Sequence, residues 1–236
     1  MVEYANNLPF RKFPIAQMLR DRLGIERVRL ENDANAAAWG EAVAGAAKGT
    51  TDSIMVTLGT GVGGGIIINN EIFTGFNYAG AEIGHIVIET DGALCGCGRK
   101  GCWEAYSSAT ALVRMTKEKI AECEAEGRYT VMSEAQKISG RTACDAMRAG
   151  DAAGKEVYDK YVKYLATGLT NMINIFQPQV ISLGGGVSGE GQSLIDALEP
   201  LVRAEQYGCG FIDKLTEIRI AKLGNDAGII GAALLA

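Results

Sequence analysis

The stretch from Ala81 to Glu104, AEIGHIVIETDGALCGCGRKGCWE, constrains this chain more than any other, because it sets the sequence's one histidine beside three of its six cysteines. His85 is followed by Cys95, Cys97 and Cys102 in a C-x-C-x4-C pattern. One imidazole and three thiolates make a complete tetrahedral donor set for zinc, and no position is left for water. The expected metal is therefore structural rather than catalytic. Gly92, Gly96, Gly98 and Gly101 allow the sharp turns by which ligands close in sequence converge on one ion. The plainer alternative is a set of reduced thiols in a glycine-rich turn with His85 merely nearby; such a cysteine run within reach of a lone histidine favours the metal. A disulfide framework is weaker still, since 236 residues bury a sizeable core without staples.

With 47% hydrophobic and 22% charged residues the chain has the balance of a globular protein of one larger or two small domains. No apolar run is long enough to span a bilayer, and the N-terminus lacks a signal peptide's basic-then-apolar pattern, so a cytoplasmic location and no membrane partner are expected. A net charge of −5 without Lys/Arg clustering argues against nucleic acid, because backbone phosphates need a basic face. A nucleotide ligand stays open. It needs only a few aimed amides.

Read in order, the chain begins with what looks like a turn at NNLPF, then a short amphipathic helix over Ile15 to Leu23 and a strand over Val28 to Leu30. The helix's apolar face needs a sheet that nothing upstream supplies, so the chain reads as a fragment. Glu31-Asn32-Asp33-Ala34-Asn35 then opens an Ala-rich helix expected over Ala34 to Ala47. Asn and Asp at such a junction are ordinary helix caps; equally, Asp33 at the carboxyl end of a strand stands where α/β sheets place ligands and could accept a proton. Spacing leaves both open.

Strands follow at SIMVTLG and Ile66 to Ile68, with a turn at Asn69-Asn70 leading into Glu71 to Phe73. Between the first two, Gly59 to Gly65 reads as a loop. Gly59, Gly61 and Gly64 satisfy G-x-G-x-x-G, but a β-branched run follows instead of a helix, so the dinucleotide reading fails, and no Gly-Lys-Ser/Thr marks a P-loop. What remains is a glycine bend between antiparallel strands whose amides, with the Thr60 hydroxyl, suit a phosphate. The rest is largely helical: Ala109 to Glu124, Ser133 to Ile138, Thr142 to Ala149, and Ala152 to Phe176 after Asp151, the last with a core stripe of Val157, Tyr161, Tyr164, Leu165, Leu169, Met172 and Ile173. A buried strand, Val180 to Leu183, runs through Gly184, Gly185 and Gly186 toward a helix over Gln192 to Arg203, an anion-friendly order. A strand over Glu217 to Leu223 and a helix over Ala227 to Leu235 close the chain. Cys123, Cys144 and Cys209 have no partner at ligand spacing.

These pieces resemble the ROK family of bacterial sugar kinases, and its glucokinases most. The motifs that carry the resemblance are ENDANAAAWGE (31–41), LGTGVGGG (58–65), AGAEIGH (79–85), CGCGRKGCWE (95–104), LGGGVS (183–188) and LGNDAGIIGAA near the end. The resemblance implies an α/β fold of the actin-like, ribonuclease H-like sugar-kinase type, mostly its C-terminal lobe. Residues 1–31 would be a remnant of the N-terminal lobe, 32–224 the C-terminal lobe with its zinc knuckle, and 225–236 a helix returning toward the N-terminal lobe. It implies ATP-dependent phosphorylation of a hexose 6-hydroxyl, glucose first, with Asp33 as general base. Asn32, Asp33, Glu82, His85 and Glu104 would hold the sugar, and His85 would bind zinc through one ring nitrogen and the sugar through the other. Gly59, Thr60, Gly61, Gly63 and Gly64 would meet the ATP phosphates, Gly184, Gly185 and Gly186 would border the adenosine, and magnesium would accompany the ATP. Family members are dimers or tetramers, so a homo-oligomer is expected.

The family's Asp-x-Gly-Gly-Thr phosphate loop occurs nowhere in the 236 residues. The expectation is that the full-length parent is a kinase and that this chain alone turns over glucose weakly or not at all. The rival from another class is a sugar-sensing repressor of the same family whose DNA-binding domain lies upstream. Asn32-Asp33 beside an intact GTGVGG favours the enzyme, since a sensor needs no base next to a phosphate cradle.

Overall fold

The computed structural model describes residues 2–4 and 9–235. Residues 6–8 of the NNLPF turn lie outside the described residues. Strand β1 (Val2–Tyr4) pairs antiparallel with β2 (Arg11–Phe13), Val2 opposite Phe13. Helix α1 spans Ile15–Leu23 as its periodicity predicts. The strand expected over Val28 to Leu30 does not form. The segment pairs with no described strand; the Arg20 guanidinium donates to the Val28 carbonyl at 3.3 Å, and the Arg29 side chain reaches across to the Leu235 carbonyl at 2.8 Å.

Helix α2 covers Asp33–Ala44 and stops three residues before the expected Ala47. The cause is Glu41, fully buried, whose carboxylate accepts from the Ala46 amide at 2.6 Å and pulls the chain out of the helix. The same carboxylate accepts from the Lys222 and Leu223 amides at 3.1 and 2.7 Å. Those amides are lost to the sheet, which is why β7, expected to reach Leu223, ends at Ile220.

The sheet has five strands in the order β5 (Glu71–Ile72), β4 (Val62–Ile68), β3 (Ser53–Leu58), β6 (Val180–Gly184) and β7 (Glu217–Ile220). β3, β6 and β7 run parallel; β4 and β5 return antiparallel. The β4 to β5 turn uses Asn69 and Asn70 at φ +52° and +61°, the left-handed pair that a tight hairpin requires. β4 starts at Val62, so the expected seven-residue loop shrinks to Gly59–Gly61, and Gly63, Gly64 and Gly65 are strand residues opposite Thr57, Val56 and Met55.

Helix α3 (Glu104–Ser107) follows the cysteine stretch, then α4 (Ala109–Ala125), α5 (Thr142–Arg148), α6 (Ala152–Phe176), α7 (Gln192–Glu205) and α8 (Ala227–Leu234). The helix expected over Ser133 to Ile138 is only a 3-10 turn, Val131–Glu134. Met132 is the one buried side chain between 131 and 138, too little to hold a helix against its ordering entropy. A second 3-10 turn, Gly186–Glu190, stands between the Gly184–Gly186 loop and α7, so that loop does not run straight into the helix.

The layers follow from strand alternation. Ile54, Val56, Leu58 and Ile66 face the core built on the α6 stripe, while Met55 and Ile67 face Ala37 and Ala38 of α2 and Ala227 of α8. Every member of the expected α6 stripe is buried in this core except Tyr164, which is half-buried with its ring 4.3 Å from that of Tyr106.

Candidate active site

The cysteine stretch folds as a tight double-backed loop. Val87 bridges Cys102 and Leu94 bridges Lys100, while the Cys95 amide donates to Arg99 at 2.8 Å and the Gly98 amide to Cys95 at 2.9 Å. Gly98 and Gly101 take φ of +89° and +77°, which side chains disfavour. The ligand atoms of His85, Cys95, Cys97 and Cys102 all lie within 4.8 Å of one another. His85 Nδ1 is 3.7 Å from Cys95 Sγ, and Cys97 Sγ is 3.7 Å from Cys102 Sγ. A tetrahedron with metal–sulfur bonds of about 2.3 Å has edges of about 3.8 Å, close to these two separations, so the donor set is of a size and chemistry that suit a zinc ion.

The electrostatics of the three sulfurs differ. Burial pushes the Cys95 thiol up to about 12 and also raises Cys102, whereas the backbone N–H of Arg99 lowers exposed Cys97. A dication held among them would reverse the effect of burial and displace the thiol protons.

The other candidate residues gather around the first residues of β4. Gly63 and Gly65 face α2: a methyl on Gly65 would stand 2.5 Å from Ala38 Cβ and 2.8 Å from the Ala34 carbonyl. Gly64 faces the opposite side, where a methyl would collide with Ile83 in the 3-10 turn Ile83–His85. The Val62 amide donates to Glu104 Oε2 at 3.0 Å, and a methyl on Gly61 would displace that carboxylate. Glycine thus lets three segments close on one strand: the α2 start with Asn32 and Asp33, the turn between Glu82 and His85, and Glu104. Sequence reading put Gly63 and Gly64 in a phosphate loop; the structure seats them as packing surfaces inside β4.

Asn32 is the N-cap of α2, its Oδ1 accepting from the Ala34 and Asn35 amides at 2.9 and 3.2 Å. Of the two readings left open there, the cap is what the structure shows for Asn32, and its Nδ2 alone remains for a ligand. Asp33 is exposed, with Oδ1 on the Ala34 amide at 2.9 Å and Oδ2 without a partner among the described residues. Glu82 is exposed; Glu104 Oε1 lies 3.5 Å from Cys95 Sγ, so this carboxylate touches both the cysteine cluster and β4.

At the carboxyl ends of β3 and β6 the two glycine turns lie side by side, where parallel sheets present ligands. A methyl on Gly185 would stand 2.6 Å from the Leu58 backbone, while Gly186 faces open space. Sequence reading missed three supports. Glu41 is the one acid in the Ala-rich helix beyond its first residue, a signal that could have marked it. Trp103, fully buried, donates to the Tyr164 carbonyl at 3.1 Å and lies flat against Gly168. The start of α4 grips the Gly59–Gly61 turn, which no local pattern reveals.

Comparison with known proteins follows the same lines. The model of the ROK family matches residues 1–236. A glucokinase of Streptomyces coelicolor is 38% identical over 239 residues, covering 100% of this chain and 74% of that protein. The crystal structure of a ROK family glucokinase from Streptomyces griseus, in complex with glucose and AMPPNP, superposes with a TM-score of 0.84 at 38% identity, covering 100% of this chain and 76% of that one. A xylose repressor of Bacillus spizizenii is 30% identical over 98% of this chain but only 55% of its own length. The α/β sugar-kinase fold expected from the motifs is the fold of these structural neighbours.

Proposed function

The chain belongs to the ROK family, and from that premise we propose that it is an ATP-dependent hexokinase that phosphorylates the 6-hydroxyl of a hexose, glucose first. The observation that carries this reading is that the segments holding Asp33, His85 and Glu104 (the start of α2, the Ile83–His85 turn and the start of α3) all pack on strand β4, which follows the Gly59–Gly61 turn, in a chain as similar to glucokinases as this one is. Asp33 is the general base: the sugar's O6 forms a bond to the γ-phosphorus, the bond from that phosphorus to the β-bridging oxygen breaks, and the hydroxyl proton passes to the carboxylate as ADP leaves. Asn32 donates from Nδ2. Glu82 and Glu104 accept from sugar hydroxyls, and His85 offers Nε2, since its Nδ1 faces the sulfurs.

Zinc would be held by His85 Nδ1, Cys95, Cys97 and Cys102, and it would supply rigidity rather than chemistry because four protein donors close its sphere. Glu104, in contact with Cys95, is braced by the same cluster. The Thr60 hydroxyl and the Thr60 and Gly61 amides serve the ATP phosphates, Gly184 to Gly186 border the adenosine, and magnesium accompanies the nucleotide. Among the described residues no helix is long and apolar enough to cross a membrane. A cytoplasmic homo-oligomer, dimer or tetramer, completes the reading.

Xylose repressors also match this chain, so family membership does not discriminate; higher identity to glucokinases than to xylose repressors, with Asn32-Asp33 and the glycine turn both present, favours the enzyme. The test is ADP release by the full-length protein across a hexose panel. Glucose-dependent release that Asp33→Ala abolishes, with glucose Kd changed less than about threefold, is the expected result. Turnover retained by Asp33→Ala rejects it as base, and no hexose-dependent release by the wild type rejects the kinase.

A further inference from the structure

We propose that Thr110 is a positioning residue that aims the phosphate-binding amides of the Gly59–Gly61 turn; this rests on the kinase reading above. The carbonyls of the turn point into the start of α4. The Ala109 amide donates to the Gly59 carbonyl at 2.8 Å, and the Thr110 hydroxyl donates to the Thr60 carbonyl at 2.8 Å. In a planar trans peptide the C=O of one residue and the N–H of the next point in opposite directions, and no described peptide bond is cis. Holding the Gly59 carbonyl inward therefore turns the Thr60 N–H outward, and holding the Thr60 carbonyl inward turns the Gly61 N–H outward.

The neighbouring amides are already engaged. Gly59 N–H donates to the Gly61 carbonyl at 3.0 Å, Val62 N–H to Glu104 at 3.0 Å, and Gly63 pairs with Thr57 of β3. Within the turn, Thr60 and Gly61 are left as the two outward donors. One of the two is set by a backbone bond that mutation does not remove, the other by a single side-chain hydroxyl. The oxyanions of a bound polyphosphate meet amides that need no reorientation, which is where preorganisation gains affinity.

The experiment compares wild type, Thr110→Val and Thr110→Ser as full-length, zinc-loaded protein. It measures Kd for AMPPNP and for glucose by calorimetry, KM for ATP, kcat and zinc content. Losing one hydroxyl bond predicts an AMPPNP Kd and an ATP KM raised about 3- to 10-fold in Thr110→Val, with glucose Kd and zinc content unchanged and Thr110→Ser restored to wild type. Nucleotide affinity unchanged in Thr110→Val overturns the proposal, as does a serine variant as weak as valine, or glucose affinity falling in step with nucleotide affinity. Wild type that binds glucose but not AMPPNP overturns the phosphate role of the turn itself, a different failure from Thr110→Val matching a nucleotide-binding wild type. Should Thr110→Val not fold, hydrogen exchange on wild type decides: AMPPNP is expected to slow the Thr60 and Gly61 amides, and no slowing at either overturns the assignment.

Discussion

Glu41 is a charged side chain with no exposed surface, and its partners are backbone amides from both ends of the chain's middle: Ala46 at the close of α2, Lys222 and Leu223 ahead of α8. Each amide left without an acceptor inside the protein costs on the order of 1–3 kcal/mol. Glu41→Ala is therefore expected to lower unfolding free energy by about 3 kcal/mol or more, read as a shift in the urea midpoint, and an unchanged midpoint would remove Glu41 from this role. Gly61 illustrates the opposite economy, a residue defined by what it lacks. Gly61→Ala pushes the Glu104 carboxylate off the Val62 amide, so glucose Kd is expected to rise about tenfold while zinc stays bound. Loss of zinc in that variant would mean that Glu104 props the cluster rather than the reverse.

At the scale of elements, α6 depends on its cap. Asp151 accepts from the Gly154 amide at 2.8 Å, closing the start of the helix, and from the Val131 amide at 2.8 Å, which anchors the 3-10 turn beside it. Burial works to raise this carboxyl, but the Gly154 and Val131 amides and the Thr130 hydroxyl outweigh it and hold it below its ordinary value of 3.8. A carboxyl depressed in the folded state adds stability above its unfolded value and loses it as pH falls through the folded one. Wild type should thus lose stability below about pH 4, and Asp151→Ala, weaker by about 1–2 kcal/mol at pH 7, should show a shallower fall. Urea midpoints at pH 7 and pH 3 give the comparison, and parallel curves would refute the linkage. The helices were legible in sequence where a long stripe exists, as in α6, whose bounds match expectation. They were not where one side chain decides: Met132 alone could not sustain a helix, and Glu41 cut α2 short from inside its own turn.

For the whole molecule, the cysteine cluster, Glu104 and the glycine turn form one connected body, from Cys95 through Glu104 to Val62. Removal of zinc by chelation, or Cys97→Ser, is expected to raise glucose Kd at least about tenfold, with the contacts of His85 and Glu104 weakening together. Elemental analysis should find one zinc per chain. Hexose binding indifferent to the metal would sever the connection. By itself the sequence determined that His85 and the three cysteines would gather, the long helices and most strands of the five-stranded sheet, because ligand spacing and apolar periodicity are local properties that survive without knowledge of neighbours. Only the tertiary structure decided that Gly63, Gly64 and Gly65 are a strand pressed between α2 and the Ile83–His85 turn, that the segment before Asp33 is no strand, and that Thr110 holds the Thr60 carbonyl. Each of these depends on which atoms arrive from distant parts of the chain to fill a space or accept a hydrogen bond, and a one-dimensional pattern holds no record of that arrival.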